Sequence, residues 1–141
     1  MGRGMSPLLL IGGIMATWNE VKSAVTSGST FRFEAIESNV LKLDIETRDG
    51  RSQVVYMTES DDKITLMSAV CELAAVNLDA LFKLEAFQDM PYGASATGKY
   101  LVLKHSTLLE TLDAAEIGTP MVELAFLADT LEHAITGGDS H

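Results

Sequence analysis

The residues able to do chemistry are few and scattered along this chain. His105, His133 and His141 stand far apart, and no two have the three- or four-residue spacing that sets a pair of ligands on one helix face. Asp129, Glu132 and His133 fall close together near the C-terminal end. A solvated helix face with local charge pairs is the expected reading for them, ahead of a metal site. Cys71, the single cysteine, follows Ala69 and Val70 in an apolar run, so a small buried thiol is expected rather than a reactive one. The many serines lack a Gly-x-Ser-x-Gly elbow, and neither Gly-x-Gly-x-x-Gly nor Gly-Lys-Ser/Thr occurs. Gly98, Gly118 and Gly137-Gly138 read as punctuation. Glu34, Glu37, Asp44 and Glu46 offer carboxylates for acid–base work, but on a strand outward-facing charges are the commoner arrangement. The expectation is therefore no enzyme, no metal and no cofactor.

Charge narrows the partner class. Twenty Asp and Glu oppose ten Lys and Arg, a formal net charge of −10 that is spread along the chain. Duplex DNA and anionic membranes bind through Lys and Arg neutralising phosphates, so neither nucleic acid nor a membrane is an expected partner. A basic or apolar polypeptide suits the field. With 141 residues the chain has the length of one domain, and with only 6% aromatics its core must rest on Leu, Val, Ile, Ala and Met. Met57, Met67, Met90 and Met121 fall in or beside predicted elements, where they serve as gap fillers or as an adaptable surface. A lone thiol fits a reducing cytoplasm. At the N-terminus, Arg3 and the apolar run 8–11 resemble a short signal peptide. Gly12-Gly13 interrupts the run, and no small-x-small cleavage site precedes Trp18. Residues 1–14 are expected to be an extension, with a single domain over 15–141 starting near Met15.

The elements follow from periodicity. Thr17 and Glu20 have capping-box spacing, and Trp18, Val21 and Val25 recur on one face of a helix that Gly28-Ser29 ends. Phe31, Phe33 and Ala35 alternate as a strand, and Ser38-Asn39 turns into the clearest hairpin. There Leu41, Leu43 and Ile45 alternate with Lys42, Asp44 and Glu46, Asp49-Gly50 reverses the chain, and Val54 to Met57 return. Ser60-Asp61-Asp62 turns again, and Ile64 to Cys71 makes the next strand of an antiparallel meander. The stretch from Glu72 to Phe87 is predicted helical with Asn77 as its cap, and Pro91 and Gly93 break it. A short hairpin runs from Tyr92 to Lys104 across Ala96-Thr97-Gly98. Thr107 and Glu110 repeat capping-box spacing, which predicts a short helix near Leu112. Thr119 is placed to cap the last helix, with Pro120 at its first position and Gly137-Gly138 at its end. Met121, Leu124, Ala125, Ala128, Leu131 and Ile135 form its apolar stripe.

This order of helix, meander, helix, hairpin and helix resembles the type III secretion chaperone-like fold, a class that includes the bacterial YbjN-like proteins. The carrying residues are the strands 40–46 and 53–58, the helix 78–87, the strand 99–104, and the ending 124–132 with Gly138-Asp139, similar to YbjN-like C-termini. Trp18, Met90-Pro91-Tyr92-Gly93 and the final helix are also similar to the YjfI-like family. The resemblance implies an α+β fold, an antiparallel sheet with helices packed on one face, and a cytoplasmic homodimer holding an extended polypeptide. A non-enzymatic, chaperone-like adaptor is accordingly expected, with Val54, Tyr56, Leu78, Leu81 and Phe82 at the partner surface. The alternative is a regulatory domain that binds a small molecule between the sheet and the last helix.

Overall fold

Alternating apolar side chains in the meander all turn toward one side, and the structure shows what meets them there. The computed structural model describes residues 16–27 and 31–137. The signal-like run 8–11, the domain start near Met15, the Gly28-Ser29 helix stop, Gly138-Asp139 and His141 lie outside the described residues. The chain is α+β. The helices are α1 (Trp18–Thr26), α2 (Leu78–Lys83), α3 (Glu85–Gln88) and α4 (Gly118–Thr136). The strands are β1 (Arg32–Glu37), β2 (Val40–Glu46), β3 (Ser52–Ser60), β4 (Lys63–Glu72), β5 (Gly93–Thr97) and β6 (Tyr100–Leu108). They form one antiparallel sheet in the order β1-β2-β3-β4-β6-β5.

The tight turns have the chemistry their residues predict. Asp49 and Gly50 both have positive φ (54° and 77°), as do Asp61 and Asp62 (54° and 60°). Paired positive φ values match the right-handed twist of the flanking strands, and Asp and Gly reach that region most easily. The strands β2, β3 and β4 then bury alternate residues, whereas the edge strands β1 and β5 bury none. Leu41, Leu43 and Ile45 on β2, Val55 and Met57 on β3, Ile64 and Leu66 on β4, and Leu101 and Leu103 on β6 enter one core. α4 lies over β3, β4 and β6 and supplies Met121, Leu124, Ala125, Ala128 and Leu131. α1 adds Val21 and Val25, and its Trp18 Nε1 donates to the Ser38 carbonyl at 2.8 Å, which ties the helix to the β1–β2 turn. Met57 and Met121 are buried gap fillers, whereas Met67 and Met90 are half-buried.

Several boundaries differ from the periodic expectation. The helix predicted from Glu72 is broken: Glu72 ends β4, Leu73–Ala75 is a single 3-10 turn, and Leu84 is extended (φ −70°, ψ 128°) between α2 and α3. Asn77 does cap α2, its side-chain oxygen accepting from the Ala80 N–H at 3.1 Å. β5 continues through Thr97, so the second hairpin turns at Gly98-Lys99 instead of across Ala96-Thr97-Gly98. Thr107 opens no helix. It stays in β6 opposite Ile64, and Leu109, whose N–H donates to the Asp62 carbonyl at 2.9 Å, starts a 3-10 turn. α4 begins at Gly118 after a 3-10 turn at Ala114–Glu116, so Ile117 holds the cap position and Thr119 lies inside the first turn. Pro120 is tolerated there because the first four helical N–H groups have no helical acceptor. Gly137, at φ 72°, ends the helix in the left-handed conformation that glycine allows.

The two threonines separate cap from non-cap. Thr17 accepts from the Glu20 N–H at 3.1 Å while Glu20 accepts from the Thr17 N–H at 2.9 Å, a reciprocal capping box. Thr17→Ala is expected to cost about 1 kcal/mol in denaturant unfolding. Thr119→Ala should stay within about 0.5 kcal/mol of the parent, as surface changes away from caps do.

Candidate functional site

Parity along β3, carried back to Arg51 just before the strand, runs 51, 53, 55, 57, and the first two of these inward positions are polar. Arg51 and Gln53 enter the layer between the sheet and α4, joined by Ser68 and Cys71 from β4 and by Asp129 and Glu132 from α4. Arg51 closes a fork on Asp129, Nε to Oδ1 at 3.1 Å and Nη2 to Oδ2 at 2.8 Å. The Asp129 side chain is 1% exposed, and that of Arg51 is 20% exposed. Gln53 Nε2 donates to Ser68 Oγ at 3.1 Å and to the Ala69 carbonyl at 2.6 Å, and Ser68 Oγ donates to the Val54 carbonyl at 2.7 Å. These bonds lock β3 to β4 from within the core.

The electrostatics of this cluster hold its groups in fixed states. The bond from Arg51 lowers the Asp129 pKa below the ordinary carboxylate value, against the opposing effect of burial. The Arg51 charge, the Thr47 hydroxyl and Arg48 act in the same direction as the bond. Burial pushes the Cys71 thiol up, and the nearby Glu132 carboxylate pushes it further, so the sulfur stays protonated. A protonated buried thiol is a small core side chain, not a nucleophile. Asp129 and Glu132 thus depart from the solvated face expected of them, while His133 is exposed. The signal was present: 125, 128, 129 and 132 keep helical spacing, so both carboxylates share the apolar stripe.

A further polar contact centres on Tyr92. Tyr92 packs edge-on against His105 with ring centroids 5.4 Å apart and donates its hydroxyl to Glu123 Oε1. Burial, then the Glu123 carboxylate, holds the phenol above its ordinary pKa. Among the described residues no three His, Cys, Asp or Glu side chains converge in a way that could hold a metal ion, and no helix is long and apolar enough to cross a membrane.

The surface residues predicted at the partner site divide into two places. Val54 and Tyr56 lie on the sheet face turned away from α4, Val54 half-buried and Tyr56 39% exposed, with Tyr56 paired to Lys42 and Met67 on the neighbouring strands. Leu78 and Phe82 stand one helical turn apart on α2, 61% and 56% exposed, and Leu73 just before them is exposed too. Leu81, between them in sequence, is buried and anchors α2 to the core. Phe82 touches Phe87 with ring centroids 5.5 Å apart, and α2 flanks a cleft lined by Ala80, Leu81, Leu84, Ala134 and Ile135. Neither this cleft nor the one lined by Glu85, Ala86, Met90 and Leu127 includes a member of the buried polar cluster.

The fold and these surfaces define a six-stranded α+β protein with an apolar ridge on α2. Compared with known proteins, the sequence matches no family model and no curated protein.

Because the folded-state pKa of Asp129 lies below its unfolded value, the Arg51–Asp129 fork contributes stability that is complete above the ordinary carboxylate range. That stability is lost as the pH falls through the depressed folded value. Asp129→Asn is expected to cost about 3 kcal/mol at neutral pH, as breaking a buried pair does. The variant should also lose less stability than the parent on acidification, measured by urea unfolding across the acid range.

Proposed function

We propose that this chain is a non-enzymatic protein-binding module that holds an extended or partly unfolded segment of another polypeptide, with α2 as the principal contact. The observation that carries the reading is the clustering of exposed large hydrophobic residues within ten positions: Leu73 in the 3-10 turn before α2, and Leu78 and Phe82 on α2 itself, which the core otherwise fixes. Scattered apolar side chains on a surface need no explanation, but a contiguous ridge does. Asn77 caps α2, Leu81 pins it and Lys83 pairs with Asp79 at 3.0 Å, so the ridge is presented in a set geometry. Fixed apolar side chains lose little entropy on binding, and covering them recovers roughly 25 cal/mol per Å².

The chemistry of the partner follows from what surrounds the ridge. Glu72, Asp79, Glu85 and Asp89 flank it along the chain, and the whole chain carries −10, so a segment mixing apolar and basic residues fits best. Val54, Tyr56 and Met67 on the bare sheet face offer a second, shallower apolar area. This reading agrees with the polypeptide-holding role implied by the resemblance to the type III secretion chaperone-like fold, and it stands on the α2 surface independently of that resemblance.

Fluorescence anisotropy with unstructured peptides alternating apolar and basic residues tests the proposal. Binding to the parent is expected. Leu78→Ser with Phe82→Ser should weaken it by about tenfold or more while leaving the thermal transition in place, because neither side chain supports the core. A folded parent that takes up no such peptide, or a double variant that binds as the parent does, would refute the assignment.

A further inference from the structure

Among the described residues β1 is an edge of the sheet with no strand beyond it, and all six of its residues are exposed. Unpaired backbone groups along such an edge are a template for another strand. In its pairing with β2, Arg32 stands opposite Asp44, Phe33 opposite Leu43 and Glu34 opposite Lys42. Directly opposed residues share a face. Phe33 therefore lies on the helix-bearing face beside the buried Leu43, but α4 covers β3, β4 and β6, and Phe33 is left 53% exposed. Arg32 and Glu34 lie on the opposite face. Arg32 contacts Asp44 at 3.1 Å while its own side chain remains 79% exposed.

We propose that β1 pairs antiparallel with β1 of a second copy of this chain, about a two-fold axis at Phe33, joining the two six-stranded sheets into one. The sequence of the strand is self-complementary about that residue. With the axis at Phe33, Arg32 of each copy faces Glu34 of the other. On the bare face two equivalent rows then cross the seam, each running Asp44, Arg32, Glu34, Lys42 with charges alternating minus, plus, minus, plus. On the helix-bearing face the row is Leu43, Phe33, Phe33, Leu43, which covers the exposed ring with its own counterpart. Shifting the axis to Arg32 or to Glu34 sets like charges against each other, so charge selects the register. The net charge of −10 on each copy opposes association at long range. Opposite charges at the seam offset that repulsion locally. The edge is separate from the α2 ridge, so this inference does not depend on the partner-binding reading.

Charge reversal by sedimentation velocity on the full chain tests it. The parent is expected at twice the 15.2 kDa chain mass in the micromolar range. Glu34→Arg alone sets Arg32 against a new arginine, and Arg32→Glu alone sets Glu34 against a new glutamate, so each variant should sediment as a single chain. Mixed one to one, the two variants bring opposite charges back across the seam and should regain the doubled mass, which also shows that both are folded. A parent that stays at the single-chain mass overturns the proposal, as do variants that remain dimeric alone or a mixture that remains monomeric. A monomeric parent that dimerises only after removal of residues 1–15 assigns the edge to the chain's own N-terminal segment and overturns it as well.

Discussion

An α-helix is about 10–12 Å across, whereas six paired strands span roughly 24 Å from first to last. That mismatch governs this molecule. α4 supplies nearly all the helical cover of the sheet, and it sits over the central strands β3, β4 and β6. β2 still buries alternate residues, but β1 and β5 lie at the margins and are exposed along most of their length. The same narrowness leaves the short α2 and α3 at the flank of α4, each only partly buried. Exposed apolar groups therefore gather at two margins, one at the edge strand and one on the α2 ridge.

The polar cluster beneath α4 serves a different purpose. A purely apolar interface between a helix and a sheet tolerates sliding, because one aliphatic contact replaces another at small cost. A guanidinium fork on Asp129 and an amide bonded to Ser68 and Ala69 have one good arrangement each. Displacing α4 along β3 would leave Asp129 buried without its donors, a penalty of several kcal/mol. The cluster thus fixes the register of the helix on the sheet. Its protonated thiol and fork-held carboxylate have settled protonation states, which suits a structural anchor better than acid–base chemistry.

Legibility in the sequence followed the strength of local patterns. The β2–β3 hairpin was legible from the alternation on β2 and the Asp49-Gly50 turn, although β3 extends on both sides of the return strand read at 54–57. α1 was legible from its capping box and α4 from its long stripe. The 73–88 stretch was not, because Leu84 fits a helical pattern as well as it fits the extended break it makes. Thr107 carried a genuine capping-box spacing, yet ladder pairing with β4 held it in a strand. Leu78 and Phe82 could be named as surface candidates, but sequence could not divide them from Leu81 one residue away. Asp129 and Glu132 were singled out but read as a solvated face, and Arg51 was passed over, because charged side chains are read as outward, although parity and period had already turned all three inward.

By itself the sequence determined what depends on neighbours along the chain: strand alternation, tight turns, helix caps, and hence an antiparallel α+β architecture with one dry face. Tertiary structure decided what depends on width and distance. It paired Arg51 with Asp129 across 78 positions, set β6 between β4 and β5, and left Phe33 beyond the reach of α4. The reason is physical: periodicity tells each side chain which way to point, but only the packed elements determine whether anything stands there to meet it.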